Sequence, residues 1–159
     1  MSQKIDMFLF LRKHAVHIAN KKNWFSDTKK TMPSLKAWLH AEQLLRLDLL
    51  LIRHREKFAT VWEPLSGRRA LNHLLFVRTN WPPAQISELS FDHILLILHE
   101  DLTSLGEDMD LPELPANIKS EIGYSAYKDA PYRTGLIPCT EDEWDHTLCE
   151  IVQGLRIPE

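Results

Sequence analysis

The sequence predicts an all-α protein, a compact bundle of five or six helices with an irregular acidic connection and little or no strand. Apolar residues recur at three- and four-residue spacing along most of the chain, which is typical of helices with one buried face. Capping residues, prolines and glycines divide these stretches at helical lengths. The 159 residues can bury a substantial core. We therefore assign residues 1–159 to a single helical domain, with residues 106–138 as an irregular acidic, proline-containing segment.

Two helices are predicted in the first third of the chain. Apolar residues share one face over residues 5–19, and a basic loop that ends at Pro33 follows. Ser34 is suited to cap the second helix, residues 35–61, because its hydroxyl can accept a first-turn amide. Leucines and Ile52 surround almost the whole axis of this second helix. We therefore expect it to be covered by other helices on most sides.

Three more helices are predicted in the middle of the chain. Residues 68–78 and 83–89 are separated by a Trp-Pro-Pro sequence, and a proline is well tolerated at the first position of a helix. The last of these three helices comprises residues 91–105. Ser90 is its predicted cap, and its apolar side chains form one stripe. Gly106 is expected to end it.

The C-terminal third is predicted to be less regular until its last helix. A short helix is expected over residues 116–122, and the glycines, prolines and tyrosines of residues 123–138 suit turns or a little strand. Thr140 with Glu143 three residues later is a capping box, which predicts the start of a final helix. The apolar face of that helix comprises Trp144, Leu148, Ile151, Val152 and Leu155.

Charge is divided unevenly along the chain. Residues 1–60 hold 12 Lys and Arg against 5 Asp and Glu, whereas residues 100–159 hold 4 against 14. Opposite charge on two surfaces predicts electrostatic association with another protein, and the acidic surface would complement a basic one. The acidic connection also carries apolar anchors, and the predicted protein-binding residues are Glu107, Asp108, Met109, Asp110, Leu111 and Glu113.

From this pattern we expect a non-enzymatic protein-binding factor with a charge-polarised surface, such as an adaptor, an inhibitor or an immunity-type protein. The alternative is a nucleic-acid-binding protein that uses the basic N-terminal third. Lysines would neutralise phosphates there while an aromatic ring stacks on a base. The residues of this alternative are Lys21, Lys22, Trp24, Lys29 and Lys30. The same charges also have a purely structural interpretation, in which the basic and acidic thirds of the chain form ion pairs with each other and bind no partner.

A third hypothesis comes from a short motif on the predicted helix over residues 68–78. The sequence Arg-Arg-Ala-Leu-Asn-His places Arg68 five residues before His73. This spacing resembles the Arg-to-His motif of the helical HEPN ribonucleases, which are all-α. The resemblance covers six residues, and Arg69 stands where that motif carries a small polar residue. It implies an RNase that uses Arg68 and His73.

The sequence lacks the motifs of several other classes of protein. The sequence contains no paired Cys-x-x-Cys, no His-Glu-x-x-His, no Gly-x-Ser-x-Gly and no glycine-rich phosphate loop. Cys139 and Cys149 are ten residues apart, which matches no strong metal spacing. We therefore predict no cofactor, no metal and no catalytic residue. The two cysteines, and an apolar N-terminal run too short to span a membrane, predict a cytoplasmic protein without membrane contact.

Overall fold

The fold is all-α. A computed structural model describes residues 6–124 and 137–154, and within these ranges it contains eight α-helices, one short 3-10 helix and no strand. An isolated bridge joins Phe25 to Pro33. The helices are α1 (Met7–Lys22), α2 (Leu35–Phe58), α3 (Arg68–Thr79), α4 (Pro83–Ser87), α5 (Phe91–Ile97), α6 (His99–Asp108), α7 (Ala116–Ile122), the 3-10 helix (Glu141–Glu143) and α8 (Thr147–Val152).

The described residues fall into two compact units. Unit 1 lies within Met1–Leu45 and Asp110–Trp144, and unit 2 lies within Arg46–Met109 and Asp145–Glu159. Helix α2 contributes its first half to unit 1 and its second half to unit 2. Among the described residues, no helix combines the length and the apolar character needed to cross a membrane.

Unit 1 is built on α1 and the first half of α2. Asp6 caps α1 by accepting a hydrogen bond from the Leu9 amide at 3.0 Å. Asn23 ends the helix in the left-handed conformation, with φ of 56°. Leu11 and Ile18, on the predicted inner face of α1, are fully buried. The predicted amphipathic character of α1 is therefore confirmed.

Unit 2 contains the leucine-rich half of α2, and its core includes Leu47 and Leu51, which are fully buried as predicted. Arg55, also buried, holds α8 against α2. Its guanidinium donates to the Gln153 side chain at 2.8 Å and to Cys149 Sγ at 2.9 Å. These bonds satisfy guanidinium N–H donors that would otherwise be costly to bury.

A buried carboxylate fixes the chain where α3 begins. Glu150 of α8 accepts hydrogen bonds from the Ser66 hydroxyl and the Gly67 amide, both at 2.7 Å. Gly67 has φ of 56° and ψ of −132°, a conformation that L side chains rarely adopt. The turn before α3 and the last helix therefore depend on each other within unit 2.

Two predicted helices are broken. The stripe over residues 91–105 is split at Leu98, with φ of −89° and ψ of 2°, and α6 continues through Gly106 to Asp108. The capping box of Thr140 and Glu143 is confirmed, but it opens only the 3-10 helix. Asp145 then accepts hydrogen bonds from the Thr147 amide and hydroxyl, at 3.1 and 2.6 Å, so a local turn competes with helix continuation before α8.

The predicted bundle of five or six helices is not confirmed. The short helix predicted over residues 116–122 is present as α7. Of the segment predicted to hold turns or a strand, residues 125–136 lie outside the described residues. The assignment of the whole chain to one domain stays a prediction.

Candidate functional site

Unit 2 contains an open pocket of about 440 Å³ on one face of α3. Helices α3 and α4 and the loop that joins α2 to α3 form its walls. Its lining residues are Glu63, Leu65, Arg69, Asn72, His73, Phe76, Pro83, Ile86 and Ser87. An apolar hollow with a few polar groups at its edge is the usual form of a binding site.

His73, which lines this pocket, is one member of a histidine pair. The Nδ1 atom of His73 lies 2.8 Å from Nε2 of His54 on α2, so one imidazole donates to the other. The Phe58 ring packs against both histidines, with centroids 4.7 Å from His54 and 5.4 Å from His73. Burial, followed by the positive charges of His73, Arg55 and Lys57, lowers the pKa of His54 to about 4. His54 is therefore neutral at physiological pH and orients His73.

The two arginines at the start of α3 have different environments. Arg69 pairs with Glu63 at the pocket edge, and its hydrogen bonds hold the pKa of that carboxyl below its usual value. Arg68 donates to the Asn72 side chain and to the Leu89 carbonyl, each at 2.8 Å. Arg68 therefore stabilises the helix and the chain after α4, and it is not among the residues that line the pocket.

Large apolar side chains are exposed in the loop that leads to the pocket residue Glu63. The Thr60 amide donates a hydrogen bond to the Glu63 carbonyl at 2.9 Å and closes a tight turn. In this turn the exposed fraction is 92% for Val61 and 82% for Trp62. Phe76, which lines the pocket, is 40% exposed. Large exposed apolar patches mark association sites. We call the lining residues, together with Val61 and Trp62, the α3 pocket.

The six residues of the predicted acidic site are divided between the two units. Glu107 and Asp108 are exposed in the last turn of α6, and Met109, half-buried, caps that helix in unit 2. Asp108 lies 3.6 Å from Arg53. The other three predicted residues belong to unit 1, where Leu111 is half-buried and Asp110 and Glu113 are exposed.

The predicted nucleic-acid-binding residues lie in unit 1, and several have acidic or aromatic neighbours. Lys22 lies 3.2 Å from Asp142, and Lys29 lies 3.6 Å from Glu121. Trp24 is half-buried, with its ring 5.2 Å from that of His40 and the Lys36 ammonium 5.7 Å above it. Lys21 and Lys30 are exposed. Part of the basic third therefore pairs with the acidic third inside this unit.

Sequence reasoning missed a buried cluster in unit 1. His40, Cys139 and Glu143 are each at most 2% exposed, and their potential metal-ligating atoms lie within 4.8 Å of one another. Burial opposes ionisation of Glu143, but hydrogen bonds from His40 and Thr140 outweigh this effect and keep its pKa below the usual value. The capping box drew attention to Glu143, but only the fold brings His40 of α2 beside it.

The His54 and His73 pair was also missed, although His73 was considered in the ribonuclease hypothesis. The two residues are on different helices, and no spacing within one helix could have joined them. Comparison with protein-family models, curated proteins and solved structures found no match to this chain.

Proposed function

We propose that this protein binds another protein at the α3 pocket and performs no chemistry of its own. The observation that supports this proposal is an open apolar hollow lined by the exposed Phe76, together with the exposed Trp62 in the loop that leads to it, within one unit. A side chain of the partner enters the hollow while the two aromatic rings are covered. Exposed aromatic groups of this kind dominate the energetics of protein interfaces.

The magnitudes favour an anchored complex over a purely electrostatic one. Covering Trp62, which is 82% exposed, removes roughly 200 Å² from water and contributes about 5 kcal/mol before the costs of association, whereas Phe76, which is 40% exposed, contributes about 2 kcal/mol. A single exposed ion pair contributes about 1 kcal/mol or less. The aromatic groups therefore supply the affinity of the proposed complex, whereas charge acts mainly on the rate of encounter.

The proposal also includes the charge of the partner and the cellular compartment of the protein. Glu107 and Asp108, exposed on α6 of the same unit, favour a partner with basic residues. Two reduced and buried cysteines fit the reducing conditions of the cytoplasm. The protein then acts as an adaptor, an inhibitor or an immunity-type factor that blocks or joins its partner sterically.

Panning a random peptide library against the full-length protein tests the docking site. We expect enrichment of peptides that share an aromatic or aliphatic anchor, and we expect binding of a selected peptide to weaken at least tenfold in Trp62→Ser and Phe76→Ser. Leu96→Ser is the matched control, because Leu96 is 72% exposed on α5 and does not line the pocket. Equal binding by all four proteins, or enrichment of no anchor, would contradict the proposal.

Nucleic-acid binding through the basic third is the alternative proposal. Lys21 and Lys30 are exposed and support it. The ion pairs of Lys22 and Lys29 weaken it, because those acidic partners compete with phosphate.

The position of His73 in the pocket, held by neutral His54, favours a second candidate function, RNA cleavage of the HEPN type. Arg68 weakens this candidate, because its guanidinium is hydrogen-bonded to Asn72 and Leu89. Cleavage that disappears in His73→Ala would favour the ribonuclease. RNA that stays intact on long incubation with the wild-type protein would eliminate it.

A further inference from the structure

We propose that His40, Cys139 and Glu143 bind a zinc-type divalent metal ion inside unit 1. The residues come from distant parts of the chain, since His40 lies in the first half of α2 and the other two flank the start of the 3-10 helix. They supply nitrogen, sulfur and oxygen, the three donor types that zinc accepts in proteins. Each residue is at most 2% exposed.

The hydrogen bonds of His40 resemble those of a metal-ligating histidine. Nε2 lies 2.8 Å from the Ile137 carbonyl oxygen and donates to it, because a carbonyl only accepts. Such a bond to a backbone carbonyl fixes the tautomer of metal-bound imidazole and leaves the other nitrogen free to ligate. Nδ1, the other nitrogen, points at Glu143 Oε1 from 2.6 Å.

A proton or a metal ion is required between Nδ1 and this carboxylate. The second oxygen of Glu143 accepts from the Thr140 amide at 2.6 Å and from its hydroxyl at 2.9 Å, which favours the ionised form. Two electron-rich atoms 2.6 Å apart repel unless a positive charge bridges them. That charge is a proton on Nδ1 or a metal ion, and the position of Cys139 favours the metal ion.

The ligand set balances the charge of the ion. Zinc displaces one proton from Nδ1 and one from Cys139 Sγ, so the divalent ion, one thiolate and one carboxylate sum to zero. A neutral centre limits the cost of burial. Bonds of about 2.0–2.3 Å place ligand atoms roughly 3–4 Å apart, so the His40 and Glu143 atoms must separate slightly. Gln43, whose Oε1 lies 3.2 Å from Cys139 Sγ, or a water supplies the fourth position.

Cobalt(II) and zinc titrations of the chelator-treated, reduced full-length protein test this site. We expect one equivalent of either metal, displacement of cobalt by zinc, and a thiolate-to-cobalt charge-transfer band. Cys149→Ser is the matched control, since it removes the other buried thiol and leaves Cys139 as the single cysteine of the chain. This variant should keep the band.

Cys139→Ser should lose the band and bind zinc at least tenfold more weakly, and Glu143→Gln should weaken binding while keeping the band. If Cys139→Ser does not fold, the spectrum of Cys149→Ser still decides, because its only thiol is Cys139. Absence of stoichiometric binding to the wild-type protein overturns the proposal, and so does a cobalt complex without the thiolate band. Either result would leave the cluster as a proton-bridged hydrogen-bond network.

Discussion

His54 is a residue of unit 2 whose ionisation makes stability depend on pH. It is 6% exposed, and burial together with nearby positive charges lowers its pKa from 6.5 to about 4. The unfolded chain therefore binds a proton in this pH range before the folded chain does. By linkage, the stability contributed by neutral His54 is present above pH 6.5 and is lost as the pH falls towards 4.

We therefore predict that the wild-type protein loses about 2 kcal/mol more of its unfolding free energy between pH 7 and pH 5 than His54→Gln does. Glutamine keeps a polar group near His73 but does not titrate. Urea denaturation at both pH values measures the difference. Parallel losses in the two proteins would show that His54 is not held neutral by the fold.

Only some of the contacts between functional side chains could be predicted from the sequence. The capping box of Thr140 and Glu143 was predicted because all its atoms lie within one turn. The contact of His40 with Glu143 joins residues 103 positions apart, and no local pattern encodes it. His54 and His73 meet for the same reason, through the packing of α2 against α3.

At the scale of elements, the turn before α3 depends on Gly67. A Cβ there would lie 3.3 Å from the His146 ring, and φ of 56° with ψ of −132° is strained for an L residue. We predict that Gly67→Ala lowers the unfolding free energy by about 1–3 kcal/mol. Thermal and urea denaturation provide the measurement.

Gly123→Ala is the control for this prediction. Gly123 also has a positive φ, 71°, but no atom of the described residues lies within 4 Å of its added Cβ, and its left-handed conformation costs an alanine about 1 kcal/mol. The Gly67 variant should therefore be the less stable of the two. The reverse order would contradict the role assigned to this turn.

Two acidic residues at the C-terminal end of α6 affect the stability of this helix. Glu107 and Asp108 lie in the last turn, where the helix dipole disfavours negative charge by about 0.3–1 kcal/mol each. Asp108 recovers part of this cost through its exposed pair with Arg53. We predict that Glu107→Lys leaves the unfolding free energy unchanged or raises it by up to about 1 kcal/mol.

Glu100→Lys in the first turn of α6 is the matched control and should lower stability, because negative charge is favourable there. Denaturant unfolding of the two variants measures both effects. A stability loss in Glu107→Lys as large as that in Glu100→Lys would assign the acidic end a structural role. If the Glu107→Lys variant is stable but associates more slowly with the partner, the result would support the proposal that Glu107 and Asp108 attract a basic partner.

Most helices could be predicted because their apolar periodicity is strong, as α1 and α2 illustrate. The breaks could not be predicted. Leucines continue through Leu98, so the stripe gives no signal where α5 ends and α6 begins. The interruption between the 3-10 helix and α8 comes from the Asp145 side chain, whose hydrogen bonds with Thr147 compete with the helical ones.

Over the whole molecule, the uneven distribution of charge is partly neutralised inside each unit. Lys22 and Lys29 have acidic partners in unit 1, and Arg53 has Asp108 in unit 2. The division of charge along the chain was visible in the sequence, but its internal pairing was not. Less positive charge therefore remains for phosphate than the sequence indicated.

We predict no measurable complex with mixed-sequence RNA or DNA oligonucleotides at physiological salt, since a phosphate-binding surface needs several uncompensated cations. Fluorescence anisotropy over a series of salt concentrations measures this. Salt-sensitive binding that disappears when Lys21, Lys22, Lys29 and Lys30 are all replaced by alanine would support the nucleic-acid alternative. A variant with Arg12, Lys13, Arg53 and Lys57 replaced, which loses the same number of positive charges outside the candidate residues, is the control for nonspecific charge loss.

Each unit contains one cysteine, Cys139 in unit 1 and Cys149 in unit 2, and both are almost completely inaccessible to solvent. An alkylating reagent can modify either sulfur only after the surrounding structure has opened. Peptide mass mapping of partially labelled protein would therefore give a separate opening rate for each unit from a single sample, without any substitution in the chain.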